Sequence, residues 1–264
     1  MICQEFSGSR TKRICFIFNF SISVKIIKIM ERTFSTSRTD AWWVDLVASA
    51  SVFSLAILYS IFRAVEGNFF EWGSYLSPIY PLPLKSAWIS PAFFTLWVPA
   101  GFRITCYFCR RVYYRSIFAD PPACMVREPK RNYKGESAFP YILLNLHRYF
   151  LFLAIIFVPI HWIHALRSFF WEQGFTVGLG SIILFADSLF LTLYVSSCHS
   201  LRHFLGGRVD VYSQNPVIYH FWKFVSSLNR NHGFFFWASL ISVVVADLYI
   251  RLLSAGVINE IRIF

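Results

Sequence analysis

The residues best suited to chemistry are cysteines and histidines that recur where long apolar runs end. SSCHSLRHFLGGR, residues 196–208, carries Cys198, His199 and His203. Cys106 and Cys109 sit in TCYFCRR, Cys124 in PPACMV and His147 in LNLHRYF. Two thiolates with two imidazoles suit structural zinc, or a Rieske-type [2Fe–2S] centre in which two histidines replace two cysteines on one iron. His147 paired with His199 or His203 on a facing helix suits a b-type haem instead. Taken singly, a membrane cysteine is usually a small apolar filler and a histidine at an interface is usually solvated, so a shared site depends on the elements that would bring these residues together.

Those elements are membrane helices. The 264 residues are 56% hydrophobic and 15% charged, against about 25% charged in an ordinary soluble domain. Five stretches approach or exceed the ~20 residues that cross a bilayer as a helix: Ala41–Ala64, Pro91–Tyr114, Pro140–Arg167, Phe175–His199 and Gly233–Ser254. Backbone groups in lipid must be satisfied within the segment, so each is expected to be helical. The expected fold is all-α: a polytopic bundle of five transmembrane helices over residues 39–264. Residues 1–38 are basic, Ser-rich and acid-poor, and are expected to form an N-terminal extension or targeting segment outside the core. A presequence would place the chain in the mitochondrial inner membrane; otherwise a bacterial plasma membrane is expected.

The net charge of +11 reads as topology rather than as nucleic-acid binding. RRVYYRSIFADPPACMVREPKRNYKGE and SLRHFLGGRVDVYSQNPVIYHFWKFVSSLNRNH are rich in Lys and Arg, whereas the other two connections carry almost none. The positive-inside rule puts the basic loops and the N-terminus inside. At ~1.5 Å per residue, Cys106 then lies about 12 Å from Tyr114, His147 about 10 Å into the third helix, and Cys198 about 10 Å from a fourth helix that runs on to Leu205. Three helices therefore carry Cys, His and Cys–His at one depth, and ionisable groups inside a membrane are functional candidates by default. Cys124 is close enough in sequence to fold back on the same region.

Other buried charges have plainer readings. Asp187 is expected to bond to a neighbouring helix, with proton handling as the alternative; Asp247 and Arg251, four apart, are expected to pair. His161 and His164 read as interface residues at the outer end of the third helix, with an outer quinone or haem site as the alternative. No nucleophile elbow, P-loop or HExxH motif is present, and the chain has no catalytic flavin site.

TCYFCRRVYYRSIFADPPACMVREPKRNYKGES, FPYILLNLHRYFLF, SSCHSLRHFLGGR and FWKFVSSLNRNHGFFFWASLISVVVADLYIRL together resemble the haem-free, five-helix membrane anchor of actinobacterial-type succinate dehydrogenase, from Phe93 to Phe264. The resemblance implies a membrane anchor of a succinate:quinone oxidoreductase, with flavoprotein and iron–sulfur partner subunits on the inner face and electron delivery to quinone. It also implies a Rieske-type [2Fe–2S] cluster in the membrane subunit, with Cys106, His147, Cys198 and one of His199 or His203 as ligands and Cys124 as a rival thiolate. Cys109 stands where an aromatic residue is expected in the family, and Leu201 where relatives can carry Cys. Arg103, Tyr113, Arg148 and Trp222 are the expected quinone-binding residues. Two other functions remain open: a quinone-reactive anchor carrying haem b, and a non-redox transporter or assembly protein.

Overall fold

The computed structural model describes residues 36, 38–81, 90–127, 134, 137–139, 141–172, 174–207 and 209–263. Residues 1–35 and 37, nearly all of the expected N-terminal segment, lie outside them. The chain divides into two compact units, Met1–Ser51 with Arg111–Lys134, and Val52–Arg110 with Gly135–Phe264.

The helices are α1 (Val44–Glu66), α2 (Pro91–Ile104), α3 (Tyr107–Ser116), α4 (His147–Arg167), α5 (Leu179–Ser196), α6 (His199–Gly206), α7 (Pro216–Asn229) and α8 (His232–Ser254). A 3-10 segment, Tyr141–Leu146, leads into α4. Two two-residue hairpins close connections at the other end, Glu71–Trp72 with Tyr75–Leu76 and Phe170–Trp171 with Gly174–Phe175. Among the described residues, four helical stretches are long and apolar enough to cross a membrane; α2 with α3 makes a fifth if the pair counts as one span bent by 77°. The chain is an all-α, multi-pass membrane protein. Leu55, Leu58, Ile61, Phe62 and Val65 of α1 are exposed, the pattern of a helix whose outer face meets lipid rather than water.

Two expected helices are broken. The second ends at Ile104 and restarts at Tyr107; the fourth ends at Ser196 and restarts at His199. Both breaks are built alike. A hydroxyl residue donates back to a carbonyl of the finished helix: Thr105 Oγ1 to Gly101 O at 2.6 Å, and Ser197 Oγ to Tyr194 O at 2.9 Å. The Ser197 back-bond satisfies a carbonyl at the helix end, and the Thr105 one adds a second donor to Gly101 O, which also accepts from Thr105 N at 3.0 Å. The next residue is a cysteine whose carbonyl starts the following helix, accepting from Arg110 N at 2.9 Å for Cys106 and from Arg202 N at 3.1 Å for Cys198. Hydropathy does not register these breaks because both sides of each are apolar or mixed. The loop after the fourth helix also contains α7, an amphipathic element.

Close helix contact brings the broken ends toward α4. A Cβ on Gly101 of α2 would lie 2.1 Å from the Phe150 ring of α4, so only glycine permits that approach. At the opposite end, Arg63 of α1 pairs with Asp247 of α8 at 2.7 Å, both side chains fully buried. Arg251 pairs with Glu66 at 2.8 Å. This corrects the expected Asp247–Arg251 pair: a tertiary partner, Arg63, takes the carboxylate that helix spacing offered to Arg251. In the first unit, Arg38 bonds to Asp40 and to Cys124 O, the latter at 3.0 Å.

Candidate metal centre

Four buried donors meet at the end of the second unit where α2 and α5 break and α4 and α8 begin. Cys106 Sγ lies 3.2 Å from His232 Nε2, and Cys198 Sγ lies 3.1 Å from His147 Nε2. All four residues are at most 4% exposed. Both thiols are free, as is the buried Cys109 nearby.

The hydroxyls at the two breaks fix the imidazole tautomers. His147 Nδ1 is 3.1 Å from Thr105 Oγ1, and His232 Nδ1 is 2.7 Å from Ser197 Oγ. Each hydroxyl has one proton, and each spends it on a helix carbonyl. Both must therefore accept from the ring, so His147 and His232 carry their protons on Nδ1 and turn bare Nε2 lone pairs to sulfur. The arrangement is crossed. Thr105 holds the histidine that faces Cys198, while Ser197 holds the one that faces Cys106.

Each sulfur also meets the start of a helix. Cys198 caps α6, its sulfur accepting from Ser200 N at 3.3 Å; the Phe108 and Cys109 N–H groups of α3 point at Cys106 sulfur in the same way. With its Nε2 lone pair bare, His147 accepts from the Cys198 thiol at 3.1 Å. Phe102 stacks on His147 at 4.7 Å and Tyr194 on His232 at 5.2 Å, which holds both rings in plane.

This donor set suits a metal centre: two thiols, two preset imidazole lone pairs, and ring nitrogens tied by second hydrogen bonds as metal-binding histidines usually are. Among the described residues, no three His, Cys, Asp or Glu side chains converge on a single-ion point. The donors form two mixed pairs instead, Cys106 with His232 and Cys198 with His147.

The other expected ligands are not among these four. His199 is exposed, its ring 6.1 Å from that of His232. His203 is exposed on the last turn of α6. Cys124 belongs to the first unit. His232 is the donor that the sequence reading missed. The signal for it is NRNH, which opens the fifth helix at the same inner end.

A cavity of about 580 Å³ adjoins this centre within the second unit. Arg103, Tyr194, Asp187 and His161 bring polar groups to otherwise apolar walls. Phe93, Trp97 and Ile104 line it and are also exposed on the helix surface, so it opens sideways toward lipid. The Arg103 guanidinium lies 4.9 Å over the Tyr194 ring and donates to Ser239 Oγ at 2.9 Å. Asp187 accepts from Ser242 Oγ of α8 at 2.6 Å. His161 Nδ1 bonds to Phe157 O at 2.9 Å, and His164 Nε2 to Pro81 O at 2.8 Å. Of the four expected quinone residues, only Arg103 lines the cavity. Arg148 is exposed, Trp222 packs under Arg202 at 5.1 Å, and Tyr113 meets Phe118 in the first unit.

The comparisons with known proteins agree with one another. Residues 44–256 match the family model for actinobacterial succinate dehydrogenase subunit SdhC. A chain solved in the Mycobacterium smegmatis Sdh1 complex in the apo form is 36% identical, with a TM-score of 0.81; the match covers 87% of this chain and 94% of that one. No curated protein sequence matches.

Proposed function

This chain belongs to the actinobacterial succinate dehydrogenase SdhC family, and from that premise we propose that it passes electrons from partner subunits through a membrane-embedded Rieske-type [2Fe–2S] centre to quinone. The observation that carries the reading is the pair of buried Cys–His contacts with both imidazoles preset to ligate through Nε2. Cys106, Cys198, His147 and His232 are the proposed ligands. A cluster held there supplies a one-electron station between soluble iron–sulfur centres and quinone. Thr105 and Ser197 orient the imidazoles, and the N–H groups opening α3 and α6 stabilise negative charge on sulfur.

Quinone is proposed to occupy the lateral cavity, whose shape and few polar groups are those of a site for an apolar ligand with polar oxygens. There Arg103 offers a guanidinium N–H to a quinone oxygen at the end nearest the thiols, and Asp187, held by the Ser242 hydroxyl, lines the wall. The flavoprotein and iron–sulfur subunits are proposed to dock on the face carrying the basic loops. The family's actinobacterial character favours a bacterial plasma membrane and lends no support to the mitochondrial alternative. A haem is less well accommodated, because both buried imidazoles turn Nε2 to sulfur.

The test is to purify the complex, measure iron and acid-labile sulfide, and record its EPR spectrum after dithionite reduction. A Rieske-type signal with average g near ~1.9, characteristic of two-histidine ligation, supports the reading. A sharp haem α-band without that signal overturns it.

A further inference from the structure

Helix α7 presents an apolar face that the rest of the second unit leaves open. Val217, Phe221 and Phe224 are 66%, 60% and 59% exposed. They recur at i, i+4 and i+7, so they line up as one stripe along the helix. The other two faces differ from it. One turns to the bundle: Val225 is buried, a Cβ on Gly206 of α6 would lie 2.4 Å from the Trp222 ring, and Asn229 Nδ2 donates to Ser197 O at 2.6 Å. On the third, His220 and Lys223 are exposed, with Arg230 just past the helix end. The helix holds no Asp or Glu.

Protein on one side, cations on a second and large apolar side chains on a third is the division expected of a helix at a membrane–water boundary. An exposed apolar patch by itself marks either a protein or a membrane contact. The position of α7 selects the membrane. Helix α8 has 23 residues, about 34 Å of helix against ~30 Å of hydrocarbon, so its first residue, His232, lies at the inner edge of the bilayer. Asn229 is three residues earlier, which puts the end of α7 within about 11 Å of that edge. Phe234, in the first turn of α8, is 64% exposed at the same level. The Tyr212 ring lies 5.6 Å from that of Tyr219 and 5.2 Å from that of Trp222, and Tyr and Trp gather where membrane meets water.

We propose that α7 lies along the inner surface of the membrane, with Val217, Phe221 and Phe224 among lipid acyl chains and Lys223 and Arg230 level with the headgroup phosphates. The stripe runs along the helix for two turns, so all three side chains reach one lipid layer only if the helix lies along that surface. Long cationic side chains reach outward to phosphate while their stems stay in the boundary. Seated there, α7 braces the helix break that carries Cys198, because Arg202 Nε donates to Ser226 Oγ at 2.9 Å and Asn229 holds Ser197 O. The proposal does not depend on which group the buried thiols and imidazoles hold.

The test is photocrosslinking in the whole complex, reconstituted in nanodiscs of phosphatidylglycerol. Phe221→p-benzoylphenylalanine puts a reactive ketone on the stripe, and His220→p-benzoylphenylalanine puts one on the cationic face. Irradiation should add a lipid mass to the peptide carrying position 221 and none to the peptide carrying position 220. A crosslink from position 221 to a partner subunit overturns the proposal and makes the stripe a subunit interface. Absence of any adduct at 221 also overturns it, as a face turned to water gives none. Equal lipid adducts at both positions overturn the assignment of faces. If the Phe221 variant does not assemble, Phe224→p-benzoylphenylalanine takes its place with the same outcomes.

Discussion

His232→Ala separates this site from the one that sequence spacing proposes. The ring is 4% exposed, bonds to Ser197 through Nδ1 and to Cys106 through Nε2, and stacks on Tyr194. Truncating a buried side chain of this size costs about 2–5 kcal/mol, and each lost hydrogen bond about 1 kcal/mol. Two features hold the total toward the lower end. Ser197 keeps its bond to Tyr194 O, and a thiol is only a weak hydrogen-bonding group, so little is left stranded. A loss of about 2–4 kcal/mol leaves a folded domain when total stability is about 5–15 kcal/mol. The effect on the centre should be far larger, because a ligand has gone: iron and the EPR signal fall to background, and succinate:quinone activity drops at least about 100-fold, beyond the 10–100-fold typical of losing an outer-shell partner. Succinate-driven dye reduction at the partner subunits should persist. His199→Ala, made in parallel, should retain iron and signal. The reasoning fails if His232→Ala keeps the signal, and fails in a specific way if His199→Ala loses it, since His199 would then be the second imidazole ligand.

Thr105→Val and Ser197→Ala each remove the acceptor that fixes an imidazole tautomer; each should weaken retention of the centre against a chelator by about 10–100-fold, measured as iron remaining over time. His203→Ala, at an exposed position, should leave iron content and quinone reduction at wild-type levels, and a deficit in both would restore it as a ligand. Asp247→Asn strips the fully buried Arg63 of a carboxylate partner and should cost about 3–5 kcal/mol, seen as a lower unfolding midpoint in detergent; an unchanged midpoint would show that Glu66 alone suffices for Arg63. Ala154→Trp fills the lateral cavity and should suppress quinone reduction while iron content and dye reduction persist, an outcome that quinone binding elsewhere would not give.

Much of the architecture was legible along the chain. Apolar runs long enough for a bilayer define the spans, and Lys and Arg mark the end where the thiols and imidazoles gather. The fifth span matches its expected boundaries almost to the residue, His232 against Gly233. Local pattern also singled out Cys106, Cys198 and His147, because soft donors at one depth on three helices stand out against apolar surroundings. The TC and SC dipeptides at the two helix breaks were equally visible, but a hydroxyl beside a cysteine has no meaning until its acceptor is known.

The tertiary structure decided the rest. Helix periodicity relates residues three or four apart, so it joins Asp247 to Arg251. Packing overrides it, because a buried group takes whichever partner the neighbouring helix brings within reach: Arg63 for Asp247, Cys106 for His232. Hydropathy measures how apolar a segment is and is insensitive to a turn inside it, so the breaks at Thr105 and Ser197 went unseen. Those breaks aim Cys106 and Cys198 into one pocket. The sequence by itself determined which kinds of donor lie at which end of the bundle; only the crossing of α2, α4, α5 and α8 determined which thiol meets which imidazole, because that choice depends on contacts between residues as far apart as Cys106 and His232.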